Sequence, residues 1–428
     1  MGFIHEHIIL QLSDLITGQS VHHDLKFLSK SLLWDNQKMR KFQNCLFEKL
    51  ISNTISHVPF YKALYLNGEL PMSENVSIED LQSFPIVDKS KMRREGLDRF
   101  SADNIRNNKK ILCHSSGTTG EPFAYYVSKR AYSINIAAKL RTWYEAGYRM
   151  GDPYMKIASA PRGSIIKKVQ DKLNNCTHVP FQSLDTNVLQ SILITIDKTK
   201  PSVIRTHPNV AFYLAMERNV GSYCHVPKAI MTTSSNLTDI YRETIQKAFR
   251  CDVIDSYSCE GTANIAENKL HDGYHISHEY GIVEILNDNN QPVKDGYGHV
   301  VATDLWNLAT PFIRYNTHDR VEVREGVIVR IIGRENEMLE AANGKRYSGQ
   351  IICDYFSYET CGVLAYQFVV KNDGKLLIRI VPDSNFDNAQ QTKIVSDWEH
   401  LTGQIVCVQP VKYIPVGGNG KSLTVISE

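Results

Sequence analysis

The sequence predicts an α/β protein of two domains. Residues 1–334 read as a large domain of mixed, largely parallel sheets packed by helices, and residues 335–428 as a small, mobile α+β domain. Three observations predict this. Between Tyr154 and Phe249 short apolar strands alternate with helical patterns, the signature of βα units on a largely parallel sheet. Just after Arg334 the pattern changes to a hairpin-rich one. Between two short strands lies Cys113–Phe123, read C-H-S-S-G-T-T-G-E-P-F, a loop of hydroxyls and glycines. A chain of 428 residues is long enough for one large and one small domain.

The loop is the first feature with chemical content. Ser115, Ser116, Thr118 and Thr119 sit among Gly117 and Gly120. Glycines let backbone turn and approach a ligand closely. A run of turned N–H groups forms an anion-binding concavity, and hydroxyls add donors of the right length for phosphate oxygens. Lys110–Cys113 before it and Phe123–Val127 after it read as strands, so the unit is a strand–loop–strand phosphate cradle. The bland reading is a polar surface turn, since Ser, Thr and Gly favour turns for local reasons. The Walker loop requires G-x-x-x-x-G-K-[ST] running into a helix. Here Glu121 and Pro122 follow Gly120, and then a strand, which excludes it.

In chain order, residues 1–40 carry little pattern. Phe42, Leu46, Leu50, Ile51 and Ile55 recur at helical spacing, predicting a helix over Phe42–Ser56 that ends before His57-Val58-Pro59-Phe60-Tyr61. Lys129–Gly147 predicts another helix. Strands follow at Tyr154–Ala160, Val203–Thr206 and Ala229–Thr233, with helices at Asn187–Lys198, Asn209–Asn219 and Asp239–Phe249. Thr232–Asn236 closes the third strand with a polar turn, where open α/β sheets bind ligands. A strand from Cys251 ends at Asp255, placing Tyr257 and Glu260 on the next loop. Glu279–Leu286 and His299–Asp304 read as antiparallel strands. Ala365–Val370 and Leu376–Val381 flank Asn372-Asp-Gly374, a hairpin signal. Helix Gln390–Leu401, strand Ile405–Ile414, the loop Gly417-Gly-Asn-Gly-Lys421 and strand Leu423–Ile426 complete the chain.

Composition removes several function classes. The content is 42% apolar and 22% charged, ordinary for a globular enzyme, and the net charge of +2 gives no electrostatic case for nucleic acid or a membrane partner. No apolar run approaches the roughly 20 residues of a membrane span. Nine cysteines, an odd number without C-x-x-C, read as thiols of a reducing compartment, and a cytoplasmic location is expected. His271, His275 and His278 lie within eight residues, but tetrahedral zinc needs four ligands and the local supply falls short; they read as surface histidines, and structural Zn2+ is not expected.

Several of these stretches share one resemblance. Ser115–Pro122 is similar to the S-S-G-T-T-G-x-P phosphate loop of the adenylate-forming enzymes. Thr303–Asp319 resembles T-x-L-x-N-x-x-x-P-x-I-R-Y-x-x-G-D of the phenylacetate–CoA ligase branch and its capsular polysaccharide biosynthesis (CapK-like) relatives, with His318 in place of the glycine. Tyr257–Glu260 resembles the Y-G-x-[ST]-E motif, one residue short and with Ser258 for glycine. Ile331-Ile-Gly-Arg334, followed by an acidic hinge, and the Gly-Lys421 pair match the family's domain boundary and C-terminal lysine. The likeness runs from about residue 42 to the end.

The resemblance implies an adenylate-forming fold and an AMP-forming acid ligase similar to acyl-CoA synthetases. ATP would be held by Ser115, Ser116, Gly117, Thr118, Thr119 and Gly120 at the phosphates. Tyr257 would lie on the adenine, Asp319 would grip the ribose hydroxyls, and Arg334 would contact the ribose or α-phosphate. Glu260 would hold Mg2+, a hard cation that takes few protein carboxylates. Lys421 and Glu260 are the implied catalytic residues. The substrate would be a small carboxylic acid and the acceptor a thiol such as CoA, an amine or a hydroxyl. An amide- or ester-forming ligase of surface-polysaccharide or natural-product assembly is one alternative. A nucleotide-binding relative without catalysis is another. Oligomeric state is not readable from the sequence.

Overall fold

The computed structural model describes residues 4–70, 76–114, 123–259, 265–269, 271–334, 338–417 and 420–428. Among these the helices, apart from single π and 3-10 turns, are α1 (Leu10–Thr17), α2 (Val21–Ser31), α3 (Asn36–His57), α4 (Pro59–Leu66), α5 (Lys89–Glu95), α6 (Leu97–Phe100), α7 (Lys129–Glu145), α8 (Ile165–Leu173), α9 (Thr186–Thr199), α10 (Pro208–Val220), α11 (Asp239–Phe249), α12 (Gly349–Asp354) and α13 (Asn388–Thr402). The strands are β1 (Lys110–His114), β2 (Ala124–Ser128), β3 (Tyr154–Ala158), β4 (Cys176–Pro180), β5 (Val203–Thr206), β6 (Ala229–Thr233), β7 (Asp252–Tyr257), β8 (Ala266–Asn268), β9 (His275–Ile276), β10 (Gly281–Leu286), β11 (Gly296–Asp304), β12 (Tyr315–Arg324), β13 (Val327–Arg334), β14 (Met338–Glu340), β15 (Arg346–Ser348), β16 (Val363–Val370), β17 (Leu376–Pro382), β18 (Val406–Pro410) and β19 (Val425–Ser427). The chain divides into two compact units. One holds Met1–Asp152, Ser256–Thr317 and Val323–Ile328; the other holds Pro153–Asp255, His318–Glu322 and Val329–Glu428.

In the first unit β1 and β2 pair antiparallel, from Lys110 opposite Ser128 to His114 opposite Ala124. The strand–loop–strand reading therefore holds for its two strands. Beyond the loop, Phe123 is buried and meets Phe312 edge to face at 6.5 Å, in a core with Phe47, Tyr61, Phe84 and Tyr315. The described part of residues 1–40, which carry little pattern in the sequence, holds α1, α2 and the start of α3. The reason is visible in α2: its inward face includes Asp24 and Ser31 as well as Val21, Leu25 and Leu28. Asp24 is fully buried, paired with Arg130 and hydrogen-bonded by Ser133 Oγ at 2.9 Å. Ser31 Oγ donates to Glu279 Oε1 at 3.0 Å, beside the buried Arg141–Glu279 pair. A helix that buries charge against partners more than a hundred residues away has no clean apolar stripe to read.

The segment Thr303–Tyr315 clamps β2. Asn307 is fully buried; its Oδ1 accepts from Ser128 N at 3.0 Å and its Nδ2 donates to Tyr126 O at 2.9 Å. The same amide group bonds Ala309 N and Thr310 O within its own turn, and Thr310 Oγ1 accepts from Tyr126 N at 3.0 Å. Arg314 bonds both oxygens of Glu284 at 3.0 and 3.1 Å and the carbonyls of Gln82 and Phe84. In the adjoining sheet β10 and β11 are antiparallel, with Gly281 opposite Asp304, and the order continues to β12 and β13.

In the second unit strands β3–β7 lie in the order β4-β3-β5-β6-β7. The pairs β3–β4, β3–β5 and β5–β6 are parallel, as the alternation predicts. Met155, Ile157, Ile204 and Ile230 point to one side of this sheet and pack on α9, α10 and α11. Asp185 and Thr238 cap α9 and α11 by accepting from Val188 N and Tyr241 N. Both α8 and β4 are absent from the sequence reading. The apolar positions Ile165, Val169 and Leu173 of α8 are exposed, and Cys-Thr-His-Val-Pro of β4 lacks alternation. The C-terminal sheet has the order β18-β17-β16-β19, with Phe368, Ile378 and Trp398 of α13 in its core. Gly374 at φ +82° makes the expected hairpin turn. The strand expected over Ile405–Ile414 stops at Pro410, whose nitrogen cannot donate to a ladder.

Two outcomes follow for the clamp. Asn307→Ala leaves buried backbone groups of β2 unpaired, at a cost of about 1–3 kcal/mol for each such group; a denaturant titration should show a lowered midpoint. Asp304 is fully buried, and desolvation pushes its carboxyl from 3.8 up to about 7, against the opposing N–H groups of Trp306 and Asn307. The folded state thus holds this proton where the unfolded state has lost it. The contribution to stability is complete at low pH and is lost as pH rises toward about 7. Asp304→Asn should flatten that part of the stability–pH curve, and an unchanged slope would contradict the assignment.

Candidate active site

In the second unit the expected nucleotide residues Asp319 and Arg334 meet. Asp319 lies on β12 and Arg334 ends β13, and these strands are neighbours in their sheet. Arg334 Nε stands 3.4 Å from Asp319 Oδ1, and Asp319 is buried. A carboxylate held by a guanidinium is fixed in orientation, which suits it to accept from paired hydroxyls.

His318, in the position where the resembling motif has glycine, has φ +58°. The backbone does make a left-handed turn there, inside a ten-residue strand. The local geometry that a glycine would supply is retained, at the cost such a turn imposes on an L-residue, about 1–2 kcal/mol. His318→Gly should therefore be at least as stable as the parent, and His318→Val should melt lower, because a β-branched residue tolerates a left-handed turn less well than histidine. Equal melting temperatures for all three would show the turn to be unstrained.

The described backbone at Lys421 is hydrogen-bonded. Gly420 N donates to Gly417 O and Gly417 N to Lys421 O, each at 2.8 Å. Gly420 has φ +79°, and a Cβ there would lie 3.0 Å from the Phe181 ring, 3.2 Å from Ser159 and 3.4 Å from the His207 ring. Only glycine fits that approach without displacement. Asn209 Nδ2 reaches Gly420 O at 3.4 Å and Ser422 Oγ at 3.3 Å. Gly420 thus sits at the carboxyl ends of β3, β4 and β5, where parallel sheets place ligands.

His207 is a residue the sequence reading passed over. Its Nδ1 lies 3.2 Å from Thr233 O, which can only accept, so Nδ1 carries the hydrogen and Nε2 a lone pair. Burial first, and then the charges of Lys421, Arg205 and Lys156, hold its pKa below the usual value; the bond to Thr233 opposes them. The available signal was position: a polar residue between the end of β5 and Pro208 at the first turn of α10. In the turn after β6, Ser234 has φ +75°, a strained position of the kind that clusters at functional sites. Thr232 Oγ1 donates to the buried Asp255 at 2.6 Å.

In the first unit Tyr257 is the last residue of β7, a correction to its expected place on the following loop. The strand runs on because Ile265 N returns a hydrogen bond to Tyr257 O at 3.1 Å. Tyr257 is buried, with its hydroxyl 3.3 Å from Thr317 Oγ1 and its ring edge-on to Tyr274 at 6.5 Å. The loop Ser115–Gly120 and Glu260 lie outside the described residues. Among the described residues no three His, Cys, Asp or Glu side chains gather as a metal site, and His275 pairs with Asp272 at 2.8 Å.

No protein-family profile matches the chain. Protein CapK of Staphylococcus aureus is 21% identical over 368 residues, 81% of this chain and 79% of that protein. Among solved structures, a 2-hydroxyisobutyryl-CoA ligase in the postadenylation state with R3-HIB-AMP superposes with a TM-score of 0.68 at 18% identity, covering 92% of this chain and 90% of that one. The anthranilate CoA ligase AuaEII with anthranoyl-AMP gives 0.51 at 17% identity, covering 75% and 67%. At such identities the structural likeness is one of fold. The chain has the fold of the adenylate-forming enzymes, and its sequence is similar to that of protein CapK.

Proposed function

We propose that the chain is an ATP-dependent acid ligase that forms an acyl-adenylate and passes the acyl group to an acceptor, with CoA or another thiol first among them. In the first step a carboxylate oxygen attacks the α-phosphorus of ATP, the bond to the β-phosphate breaks, and pyrophosphate leaves. In the second, the acceptor attacks the acyl carbonyl and AMP leaves. The observation that carries this reading is the Asp319–Arg334 pair, two residues fifteen positions apart brought to 3.4 Å on neighbouring strands of this fold.

The chain's task in the first step is to align the ends and stabilise charge. Asp319 would accept from the ribose hydroxyls while Arg334 orients it. Ser115, Ser116, Thr118 and Thr119, with the N–H groups around Gly117 and Gly120, would hold the terminal phosphates. Tyr257 would flank the adenine. One carboxylate, Glu260, with phosphate oxygens and water is a donor set of the kind Mg2+ takes, and the ion would neutralise phosphate charge. Lys421 would bridge carboxylate and α-phosphate, carried there by a small domain, residues 335–428, that swings between the two half-reactions. The same machinery serves an amine or hydroxyl acceptor, so an amide- or ester-forming ligase is the neighbouring reading.

ATP–pyrophosphate exchange over aryl, fatty, amino and sugar acids tests the reading. Exchange with at least one acid supports it; no exchange together with no calorimetric ATP binding overturns it. Asp319→Ala should weaken ATP binding by about 1.5–3 kcal/mol while the nucleotide-free chain melts near the parent temperature. Lys421→Ala should cut turnover in the adenylation step and leave ATP affinity near the parent value, the pattern of a group used mainly in the transition state. Pyrophosphate release at the parent rate would remove Lys421 from the mechanism.

A further inference from the structure

The β4-β3-β5 portion of the parallel sheet carries an unusual transverse row. Lys156 on β3 is in register with His178 on β4 and with Arg205 on β5. Residues in register on neighbouring strands point to the same face. This face is opposite to the one that buries Met155, Ile157 and Ile204. Two cations therefore stand side by side on adjacent strands, an arrangement that destabilises a sheet.

Among the described residues neither cation is paired with a carboxylate. Among the described residues no ion pair or hydrogen bond joins Lys156 Nζ or the Arg205 guanidinium to another side chain. Asp171, an acid whose charge reaches Lys156, is held by Arg162 in a two-point pair at 2.7 and 2.9 Å. His178 donates from Nε2 to Ala160 O at 3.0 Å. Burial first, and then the charges of Arg205 and Arg162, bring the Lys156 ammonium down to about 8. Burial also lowers Arg205. A cleft of about 520 Å3, whose lining includes Arg162, Lys168, Asp171, Lys172 and His178, opens at the β4 end of the row.

The row adjoins the candidate active site. Lys156 lies two residues before the end of β3 and Arg205 one before the end of β5. At about 3.3 Å per residue they lie about 3–7 Å beneath the strand ends that the Gly420–Lys421 loop covers. His207 feels the charges of Lys156, Arg205 and Lys421 together.

We propose that Lys156 and Arg205 form an anion subsite beneath the Lys421 loop, one that takes a carboxylate or phosphoryl group. The anion is either the second charged group of the acid being activated or a separate small anion entering by the cleft. The first source rests on the acid-activating reading given above; the subsite itself does not. An incoming anion supplies the missing counter-charge, and charge-assisted bonds to Arg and Lys are the strong class of hydrogen bond.

Calorimetric titration of the full chain with inorganic phosphate and with succinate tests the subsite directly. The parent should bind at least one of them, and Lys156→Met with Arg205→Met should lose about tenfold or more in that affinity, with ATP affinity unchanged. In plain buffer the double variant should melt no lower than the parent, since it removes two unpaired cations; a purely structural pair would give a lower value. If the double variant does not fold, a phosphate-dependent rise in the parent's melting temperature, absent in Lys156→Gln, reads the same site. No binding by the parent, or equal binding by parent and variant, overturns the proposal. Exchange assays with acids paired to differ only in a neutral or anionic far end identify the source. Preference for the anionic member, lost in the double variant, assigns the anion to the substrate; phosphate binding without such preference assigns it to a separate anion. Absence of exchange with every acid counts against the ligase reading alone, because the calorimetry stands apart from it.

Discussion

The buried amide of Asn307 is the constraint on which the first unit depends. It is fully enclosed and meets Ser128 N, Tyr126 O, Ala309 N and Thr310 O, so its donors and its acceptor oxygen are both spent on backbone. An amide left unpaired in such a place costs more than the net worth of the bonds it makes. Residues 124–128 and 307–310 can therefore pack in this register or not at all. Phe123, next to β2, packs edge-on to Phe312, so the start of β2 is also held by a residue nearly two hundred positions later. The conspicuous polar residues of the 303–319 segment divide by task. Asn307, Thr310 and Arg314 brace the scaffold, and Asp319 at its end faces Arg334.

The second unit shows a different balance. Its sheet satisfies one face with aliphatic side chains and leaves charge on the other. A fold selected only for stability has no use for Lys156 opposite Arg205, because desolvating two like charges without a counter-ion is costly. The cost falls at the end of a parallel sheet, beside Gly420 and a histidine whose pKa is lowered by burial first and then by Lys421 and the same cations. Strain of a second kind lies at Ser234 and His318, two of nine described non-glycine residues with a left-handed backbone.

By itself the sequence determined the elements whose signals are local. The alternation over 154–249 gave β5, β6 and α11 at their observed bounds, since buried parallel strands and amphipathic helices carry their period in a few residues. The hairpin at Asn372-Asp-Gly374 was legible because Gly374 must take a positive φ. The candidate residues Asp319, Arg334 and Lys421 were legible as motif positions. Tertiary structure decided what depends on distant partners. It made α2 a buried helix by giving Asp24 and Ser31 partners at Arg130, Ser133 and Glu279. It extended β7 to include Tyr257, joined Asp319 to Arg334, and set Gly420 against Phe181, Ser159 and His207. It also aligned Lys156 with Arg205, forty-nine positions apart, into one charged row. No local pattern encodes these pairings, because a strand's register and a buried charge's partner are fixed only when the chain closes on itself.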